Sequence, residues 1–209
     1  MGGEQRIAYP ANAVHPANAG AFILDWDGVL AETRLSFAPL RQKYFEGKFV
    51  PLIETAAALP APLRAEVEAE IYRIEMEGAE KATAVEGAKD LISWLAEARK
   101  PWAVVSRNCR DSILLAAERC GIALPTVVLS REDPHVKPAA EALASAAERI
   151  GVKLADCVMV GDFVYDLQAA HNAGIPFVLV KSVGADWEKD SDFVYASVTD
   201  FVKDLKAFI

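Results

Sequence analysis

The stretch FILDWDGVLAET, residues 22–33, decides the fold of this chain, because a short apolar run leads directly into two aspartates, Asp25 and Asp27. The run has the length of a buried strand, and Trp26 separates the two acids. Burying two neighbouring carboxylates beside hydrocarbon costs desolvation energy and adds mutual repulsion. A structure that keeps both must gain something from them, so we expect a functional site where the strand ends.

Composition and charge predict a soluble globular protein. The 209 residues are 53% hydrophobic and 25% charged, and no run approaches the ~20 apolar residues that a membrane span requires. The net charge of −8 gives nucleic acid no general electrostatic reason to bind, although a local site can still take a small phosphorylated ligand. We expect neither nucleic acid nor a membrane as a partner, and the sequence leaves the oligomeric state open.

The cysteines and the N-terminal segment indicate a cytoplasmic protein. Cys109, Cys120 and Cys157 are odd in number and widely spaced, which fits neither a disulfide framework nor a CxxC metal site. Residues 1–20 lack the apolar core of a signal peptide. We predict that this segment is a mobile tail.

Short apolar runs recur along the chain, and their length and valine content predict buried strands. After the first run, they lie at 102–105, 127–129, 157–160, 177–180 and 193–195. Segments of helical periodicity separate them. Strands that alternate with helices through 100–209 predict an α/β fold, a doubly wound parallel sheet whose ligand site lies beyond the carboxyl ends of its strands.

Residues 35–86 interrupt this alternation and predict a helical insert. Phe37 to Lys48 is typical of one helix, and a second helix is indicated by the spacing of Leu63, Val67, Ile71 and Ile74. We therefore predict a core domain at 21–34 and 87–209, and a small inserted helical cap at 35–86. The cap begins just after the DWDG loop, so it is placed to cover whatever the aspartates hold.

Four basic or aromatic residues of the cap have two interpretations. They can reach down to a substrate, or they can lie on a solvated helix face, as charged residues usually do. The residues are Arg41, Lys43, Tyr44 and Lys48.

Polar side chains follow four of the apolar runs, and a parallel sheet brings them to one edge. In chain order they are Asp25 and Asp27; Ser106, Arg107 and Asn108 from VVSRN; Lys137 from HVKP; and Asp162 and Asp166 from VGDFVYD. Two carboxylates at ~4 Å repel by ~4 kcal/mol at an effective dielectric constant near 20. A bound cation relieves such repulsion, and all-oxygen ligands favour Mg²⁺, which also binds substrate phosphate oxygens.

Lys137 and the Ser106 hydroxyl can hold the remaining phosphate oxygens. One carboxylate can then attack phosphorus, while a second protonates the departing alcohol and afterwards accepts a proton from water. Three of these residues also have an ordinary structural interpretation: Lys137 is a surface lysine, Ser106 lies in a turn, and Asp162 is the N-cap of a helix. Asp166 can bind metal directly, bind it through water, or orient Lys137 or Ser106.

The motifs DWDGVL, VVSRN, HVKP and VGDFVYDLQAAHNAG, in this order, resemble those of the haloacid dehalogenase superfamily. The resemblance covers residues 21 to about 181, and the insert is similar to C1-type caps of subfamily I, including phosphoglycolate phosphatase-like members. It implies a Rossmann-like core, Asp25 as nucleophile and Asp27 as acid/base. It also implies Ser106, Arg107, Asn108 and Lys137 as phosphate-binding residues, with Lys137 stabilising charge. The implied Mg²⁺ ligands are Asp25, Asp162, Asp166 and the backbone carbonyl of Asp27.

We therefore expect a Mg²⁺-dependent phosphatase that acts on a small soluble phosphorylated metabolite through an aspartyl phosphate. A phosphomutase of the same cap type is one alternative. A receiver-like phospho-acceptor switch or an inactive binding scaffold are alternatives of another class. The core binds the phosphate that all candidate substrates share, so phosphoglycolate, a sugar phosphate and a nucleoside monophosphate all remain open.

Overall fold

A computed structural model describes residues 14–181 and 183–208 and shows strands that alternate with helices. The first elements are β1 (Ala21–Leu24), β2 (Ala31–Glu32), α1 (Ala38–Phe45), α2 (Leu52–Ala57), α3 (Ala61–Glu80) and β3 (Thr83–Ala84). The others are α4 (Ala88–Glu97), β4 (Trp102–Val105), α5 (Arg110–Cys120), β5 (Val128–Leu129), α6 (Ala140–Arg149), β6 (Cys157–Gly161), α7 (Val164–Ala173), β7 (Phe177–Val180), β8 (Phe193–Tyr195) and α8 (Val198–Phe208).

The main sheet has six parallel strands in the order β5-β4-β1-β6-β7-β8. Strand β1 lies in its middle, where Ile23 is paired with Ala103 of β4 on one side and Met159 of β6 on the other. The chain runs outward from β1 through β4 and β5, and then returns to build β6, β7 and β8 on the opposite side. The carboxyl end of β1 is thus the point where strand order reverses, which is where open α/β sheets bind ligands.

Helices cover both faces of this sheet. Successive side chains of β1 point to opposite faces, so each face carries apolar side chains that a layer of helices buries. Phe22 and Leu24 belong to an apolar cluster that includes Trp94 of α4 and Phe201 of α8. Ile23 belongs to the cluster on the other face, with Leu143 of α6 and Leu167 of α7. The predicted doubly wound α/β fold is confirmed.

Helices α1, α2 and α3 form the insert and have an apolar cluster of their own. Its buried members are Leu40, Phe45, Leu52, Ala56, Val67 and Ile71. The chain enters and leaves the insert through an antiparallel ribbon in which Ala31 pairs with Ala84 and Glu32 with Thr83. Helix α3 also packs against α5 of the core, so the insert is positioned by more than its two connections.

The helix predicted from Phe37 to Lys48 is shorter in the structure. Helix α1 ends at Phe45 because Glu46 and Gly47 adopt left-handed backbone conformations, with φ of 53° and 75°. The six-residue α2 follows, and its periodicity was too short to predict from sequence.

Residues 1–13 of the predicted tail lie outside the described residues. Of the remainder, Pro16 and Ala17 are buried, and the ring of His15 stacks on Phe208 with centroids 3.9 Å apart. All three cysteines are buried and unpaired. Within 14–181 and 183–208, no helix is both long and apolar enough to cross a membrane.

Candidate active site

The carboxyl end of β1 holds Asp25 at the edge of the core. Its backbone N–H donates to the carbonyl of Val160 in β6 at 2.9 Å, which continues the sheet pairing by one residue. The N–H of Trp26 donates to Oδ1 of Asp25 at 2.7 Å. Trp26 is fully buried, and Asp25 is 9% exposed. The strand end therefore fixes both the backbone and the carboxylate of Asp25.

Asp27 has a separate set of partners. Its two carboxylate oxygens accept hydrogen bonds from the Thr33 hydroxyl and the Asn108 side-chain amide. Burial raises the pKa of Asp27 to about 7, and the nearby Asp25 charge adds to that shift, while the two hydrogen bonds oppose it. A carboxyl group that titrates near neutrality is suited to donate and accept a proton.

Gly28 allows the β1 loop to approach the loop after β6. Its φ is +73°, and a Cβ added there would lie 1.8 Å from Oδ2 of Asp162. Any larger residue would both strain the backbone and displace that carboxylate. The glycine of the DWDG motif is thus required for the close approach of Asp162 to the β1 loop.

Lys137 is a buried cation that links two carboxylates. Its Nζ lies 2.7 Å from Oδ1 of Asp25 and 2.6 Å from Oδ1 of Asp166, and the side chain is only 1% exposed. Burial alone would lower the pKa of Lys137, but the contacts with Asp166 and Asp25 outweigh it and raise the pKa. The surface interpretation of Lys137 is therefore wrong, and Asp166 orients this lysine.

Three carboxylates converge beside Lys137. One oxygen from each of Asp25, Asp162 and Asp166 lies within 4.8 Å of the others. Burial, followed by the charges of Asp25 and Asp166, raises the pKa of Asp162 to about 8. Burial and Asp25 likewise raise the pKa of Asp166 to about 7, against the opposing effect of Lys137. Such an all-oxygen donor set, with excess negative charge, fits a hard divalent cation such as Mg²⁺.

The loop after β4 brings Ser106 and Asn108 to the same place. The Ser106 N–H donates to the Leu129 carbonyl of β5 at 2.9 Å, so the sheet fixes its position. The Ser106 hydroxyl accepts from the Asn108 N–H at 3.1 Å and is 3% exposed. Binding of phosphate by Ser106 and Asn108 remains a prediction, and both side chains line the cavity described below.

Arg107 lines the cavity, but protein groups occupy its guanidinium. It forms two hydrogen bonds with Glu54 of the cap, at 2.8 and 2.9 Å, and a third with the Lys137 carbonyl. Its guanidinium carbon also lies 4.5 Å from the ring centre of Tyr165. The predicted contact between Arg107 and substrate thus remains a prediction, while its contact with the cap is observed.

Glu75 provides a second polar link between cap and core. It lies on α3, is 2% exposed, accepts from the Cys109 N–H at 2.9 Å and pairs with Arg131 of the loop after β5. Burial raises the pKa of Glu75, and Arg131 opposes this shift. Sequence reasoning missed Glu75, Arg131, Thr33 and Tyr165. The signal available for Glu75 was an acidic residue at a position where the helical period of α3 places apolar side chains.

A cavity of about 440 Å³ lies between core and cap. Asp25, Asp27, Ser106, Lys137 and Asp162 line its core side. Arg41 lines its cap side. Lys43 and Lys48 instead pair with exposed glutamates. The Nζ of Lys43 lies 3.2 Å from Glu66, and the Nζ of Lys48 lies 2.6 Å from Glu46. The Tyr44 hydroxyl also donates to Glu66. The solvated interpretation thus holds for three of the four cap residues considered from sequence.

The chain resembles known proteins in sequence and fold. A sequence profile of the haloacid dehalogenase-like hydrolases matches residues 50–180, more than half of the chain. A phosphoglycolate phosphatase of Xylella fastidiosa is 48% identical over 58 residues, which are 28% of this chain and 24% of that protein. The chain thus matches about a quarter of that relative's length.

Two further similarities extend over most of the chain. The pyrophosphatase PpaX of Bacillus velezensis is 27% identical over 185 residues, covering 80% of this chain and 83% of that protein. The crystal structure of a hydrolase from Pseudomonas syringae has a TM-score of 0.76 at 18% identity, covering 90% of this chain and 98% of that one. The structural similarity extends the evidence for the fold to almost the whole chain.

Proposed function

The chain belongs to the haloacid dehalogenase-like hydrolases, and from this premise we propose that it is a Mg²⁺-dependent phosphatase for a small phosphomonoester. The observation that carries the proposal is the convergence of Asp25, Lys137 and Asp162 at the end of β1, with Asp27 two residues from Asp25. The names of two relatives, a phosphoglycolate phosphatase and a pyrophosphatase, are consistent with phosphate release.

In this proposal, an oxygen of Asp25 forms a bond to phosphorus as the bond from phosphorus to the leaving oxygen breaks. Asp27 donates its proton to that leaving oxygen. Asp27 then takes a proton from a water molecule, which attacks phosphorus and breaks the bond to Asp25. The pKa of Asp27 near 7 supports both transfers at neutral pH, because the group changes protonation state easily there.

Lys137 and Ser106 hold the phosphoryl group against Asp25. The Lys137 ammonium already contacts Asp25, so it lies where charge develops on the phosphoryl oxygens. Asp25, Asp162 and Asp166 would hold Mg²⁺, which would supply positive charge to offset the carboxylates and the phosphoryl oxygens. The cap covers the cavity and excludes bulk water from the phosphoryl group.

Phosphate release from a panel of esters tests the proposal. The panel contains phosphoglycolate, a sugar phosphate and a nucleoside monophosphate, each with Mg²⁺ and with EDTA. We expect turnover of at least one ester, its loss in EDTA, and a fall of about a thousandfold or more in Asp25→Asn. Asp90→Asn, an exposed aspartate of α4, is the matched control and should retain wild-type turnover.

Three outcomes contradict the proposal. Phosphate release that persists in Asp25→Asn would remove Asp25 as the nucleophile. A phosphorylated Asp25 that survives for minutes in the wild-type protein, detected by mass spectrometry, would indicate a switch instead of a phosphatase. A phosphoryl group that reappears on the organic product would indicate a phosphomutase.

A further inference from the structure

The cap side of the cavity carries a cation without a carboxylate partner. Arg41 of α1 lines the same cavity as Asp25 and Lys137. Its guanidinium carbon lies 4.7 Å from the ring centre of Phe49 and 6.0 Å from that of Phe37. Its Nε is buried and has no hydrogen-bond partner in the part of the chain that the structure describes. No carboxylate among those residues pairs with it.

Four other basic residues of the cap are paired with glutamates of the cap. Lys43 pairs with Glu66 and Glu70, Lys48 with Glu46, Arg64 with Glu68, and Arg73 with Glu77. Cations that face the cavity from the core are also paired: Arg107 with Glu54, and Lys137 with Asp25 and Asp166. Arg34 lines the cavity as well, but it is exposed, so water can satisfy its donors.

The environment of Arg41 leaves its hydrogen-bonding capacity available. Burial lowers the pKa of Arg41, because desolvation disfavours the charged form. A guanidinium nevertheless stays protonated in proteins. Burial of Arg41 therefore costs free energy because it leaves an N–H donor without a hydrogen bond. The guanidinium carbon lies over the ring of Phe49, and an apolar ring offers no lone pair to the N–H donors. An anion in the cavity would satisfy them.

On the basis of the function proposed above, we propose that Arg41 binds an oxyanion carried by the leaving group. The substrate class is a short phosphoryl compound with a second anionic group, either a phosphomonoester that carries a carboxylate or an anhydride that carries a second phosphoryl group. Its phosphoryl group lies at Asp25 and Lys137, and its second anion extends toward α1. Arg41 is then a specificity-determining residue that acts on the part of the substrate that does not react.

The remaining lining of the cap side supports a short acid over a polyhydroxylated ligand. Glu75 also lines the cavity, but the Cys109 N–H and Arg131 occupy its carboxylate. The other lining side chains of the cap, Arg41 apart, are apolar and include Phe37, Val50, Leu52, Ile53 and Ile71. These offer no partners to the hydroxyl groups of a sugar, whose burial would therefore be costly. The same apolar surroundings strengthen a contact between Arg41 and a carboxylate or phosphoryl oxygen, because they exclude water from it.

Paired substrates test this inference. Phosphoglycolate and pyrophosphate each carry a second oxyanion, and ethyl phosphate carries none. We expect wild-type kcat/KM to be higher for at least one of the anionic pair than for ethyl phosphate. In Arg41→Ala that preference should fall about ten- to a hundredfold, and Arg41→Lys should restore part of it. Whichever of the two loses more identifies the second anion as a carboxylate or a phosphoryl group.

Lys43→Ala is the matched control, because it removes the same charge from the same helix outside the cavity. It should leave the preference unchanged. A loss that is equal for all three substrates in Arg41→Ala would overturn the inference, since it would show that Arg41 only supports the cap. A wild-type preference that Arg41→Ala leaves intact would overturn it as well.

The experiment separates failure of this inference from failure of the proposed function. If ethyl phosphate is hydrolysed with dependence on Asp25 and without an effect of Arg41, the phosphatase stands and the inference falls. If the wild-type protein hydrolyses no ester, calorimetric titration of wild type and Arg41→Ala with phosphoglycolate decides the inference. Equal affinities would overturn it, and affinity at least about tenfold weaker in the variant would support it.

Discussion

The core side and the cap side of the cavity differ in how their charged groups are satisfied. On the core side, Lys137 bridges two carboxylates, and Thr33 and Asn108 hold Asp27. On the cap side, the guanidinium of Arg41 lies near the rings of Phe37 and Phe49, and its buried Nε has no hydrogen-bond partner in the described residues. The core side is therefore organised before a ligand arrives, whereas the cap side keeps bonding capacity for one.

This difference follows from how each side is built. The core groups stand at strand ends, whose positions the sheet and its two apolar layers fix. The cap is joined through the two-residue ribbon of β2 and β3, the packing of α3 on α5, and the polar links of Glu75 and Glu54. Variants on each side should thus affect different quantities: the rate of chemistry on the core side, and stability or substrate access on the cap side.

After loss of the nucleophile itself in Asp25→Asn, the largest effect is expected from Asp27→Asn. Asparagine keeps the size of the side chain and a partner for Thr33, but it cannot transfer a proton. We expect kcat to fall by about 10²–10⁴-fold, with KM changed only slightly, in steady-state kinetics of any ester that the wild type hydrolyses. A kcat within a factor of ten of wild type would mean that the core side does not depend on Asp27 as an acid/base.

Metal removal should expose the charge repulsion of the core side. The folded pKa of Asp162, about 8, lies above its ordinary value of 3.8. Folding therefore favours the protonated form of Asp162. The stability that this adds is complete below pH 3.8 and is lost as the pH rises to about 8. In EDTA we expect the Tm to fall between pH 5 and pH 8. Asp162→Asn should flatten this fall.

Mg²⁺ should reverse the same loss, because it binds the deprotonated carboxylates. At a hundred times its Kd, it stabilises the folded state by about 2.7 kcal/mol. We expect the Mg²⁺-induced rise in Tm to be larger at pH 8 than at pH 5, and smaller in Asp162→Asn. A rise that is independent of pH and of Asp162 would place the ion elsewhere.

The core side was largely predictable from the sequence, and the reason is geometric. Apolar runs of strand length followed by Asp25, Ser106 and Asp162 place those residues at one sheet edge once the strands are parallel. The close approach that Gly28 permits, and the bridging position of Lys137, agree with that expectation. The fold and the convergence of the acids could thus be predicted from local sequence patterns and one topological rule, that parallel strands end at the same edge of the sheet.

The cap side was not predictable in the same way. Arg41 and Lys43 are both basic residues of α1. Only the packing of that helix against the rest of the protein determines that Arg41 lines the cavity and that Lys43 pairs with Glu66. The ribbon of β2 and β3 has two residues in each strand, too few for a period of two to be recognised. Glu75 meets Arg131 across a tertiary contact that no local pattern encodes.

Glu75→Gln should weaken the buried link between cap and core. Glutamine retains an acceptor for the Cys109 N–H, but it leaves the guanidinium of Arg131, which is 16% exposed, with only the exposed Glu132, 3.8 Å from its Nε, as a counter-charge. We expect a loss of about 1–3 kcal/mol in the free energy of unfolding, measured with denaturant. If stability is unchanged, water solvates Arg131 adequately and the link is not structural.

The smallest effect on stability is expected from Glu54→Gln, which weakens the other link between cap and core. Glu54 is 42% exposed, so its ion pair with Arg107 should contribute less than about 1 kcal/mol to unfolding. The change should instead raise KM, because Arg107 also bonds to the Lys137 carbonyl and lies over the ring of Tyr165, next to the residues that we propose bind phosphate. Glu46→Gln, whose pair with Lys48 lies outside the cavity, is the control for loss of a cap charge. A loss of stability as large as that of Glu75→Gln would show that the exposed and buried links hold the cap equally, and the contrast between them would not stand.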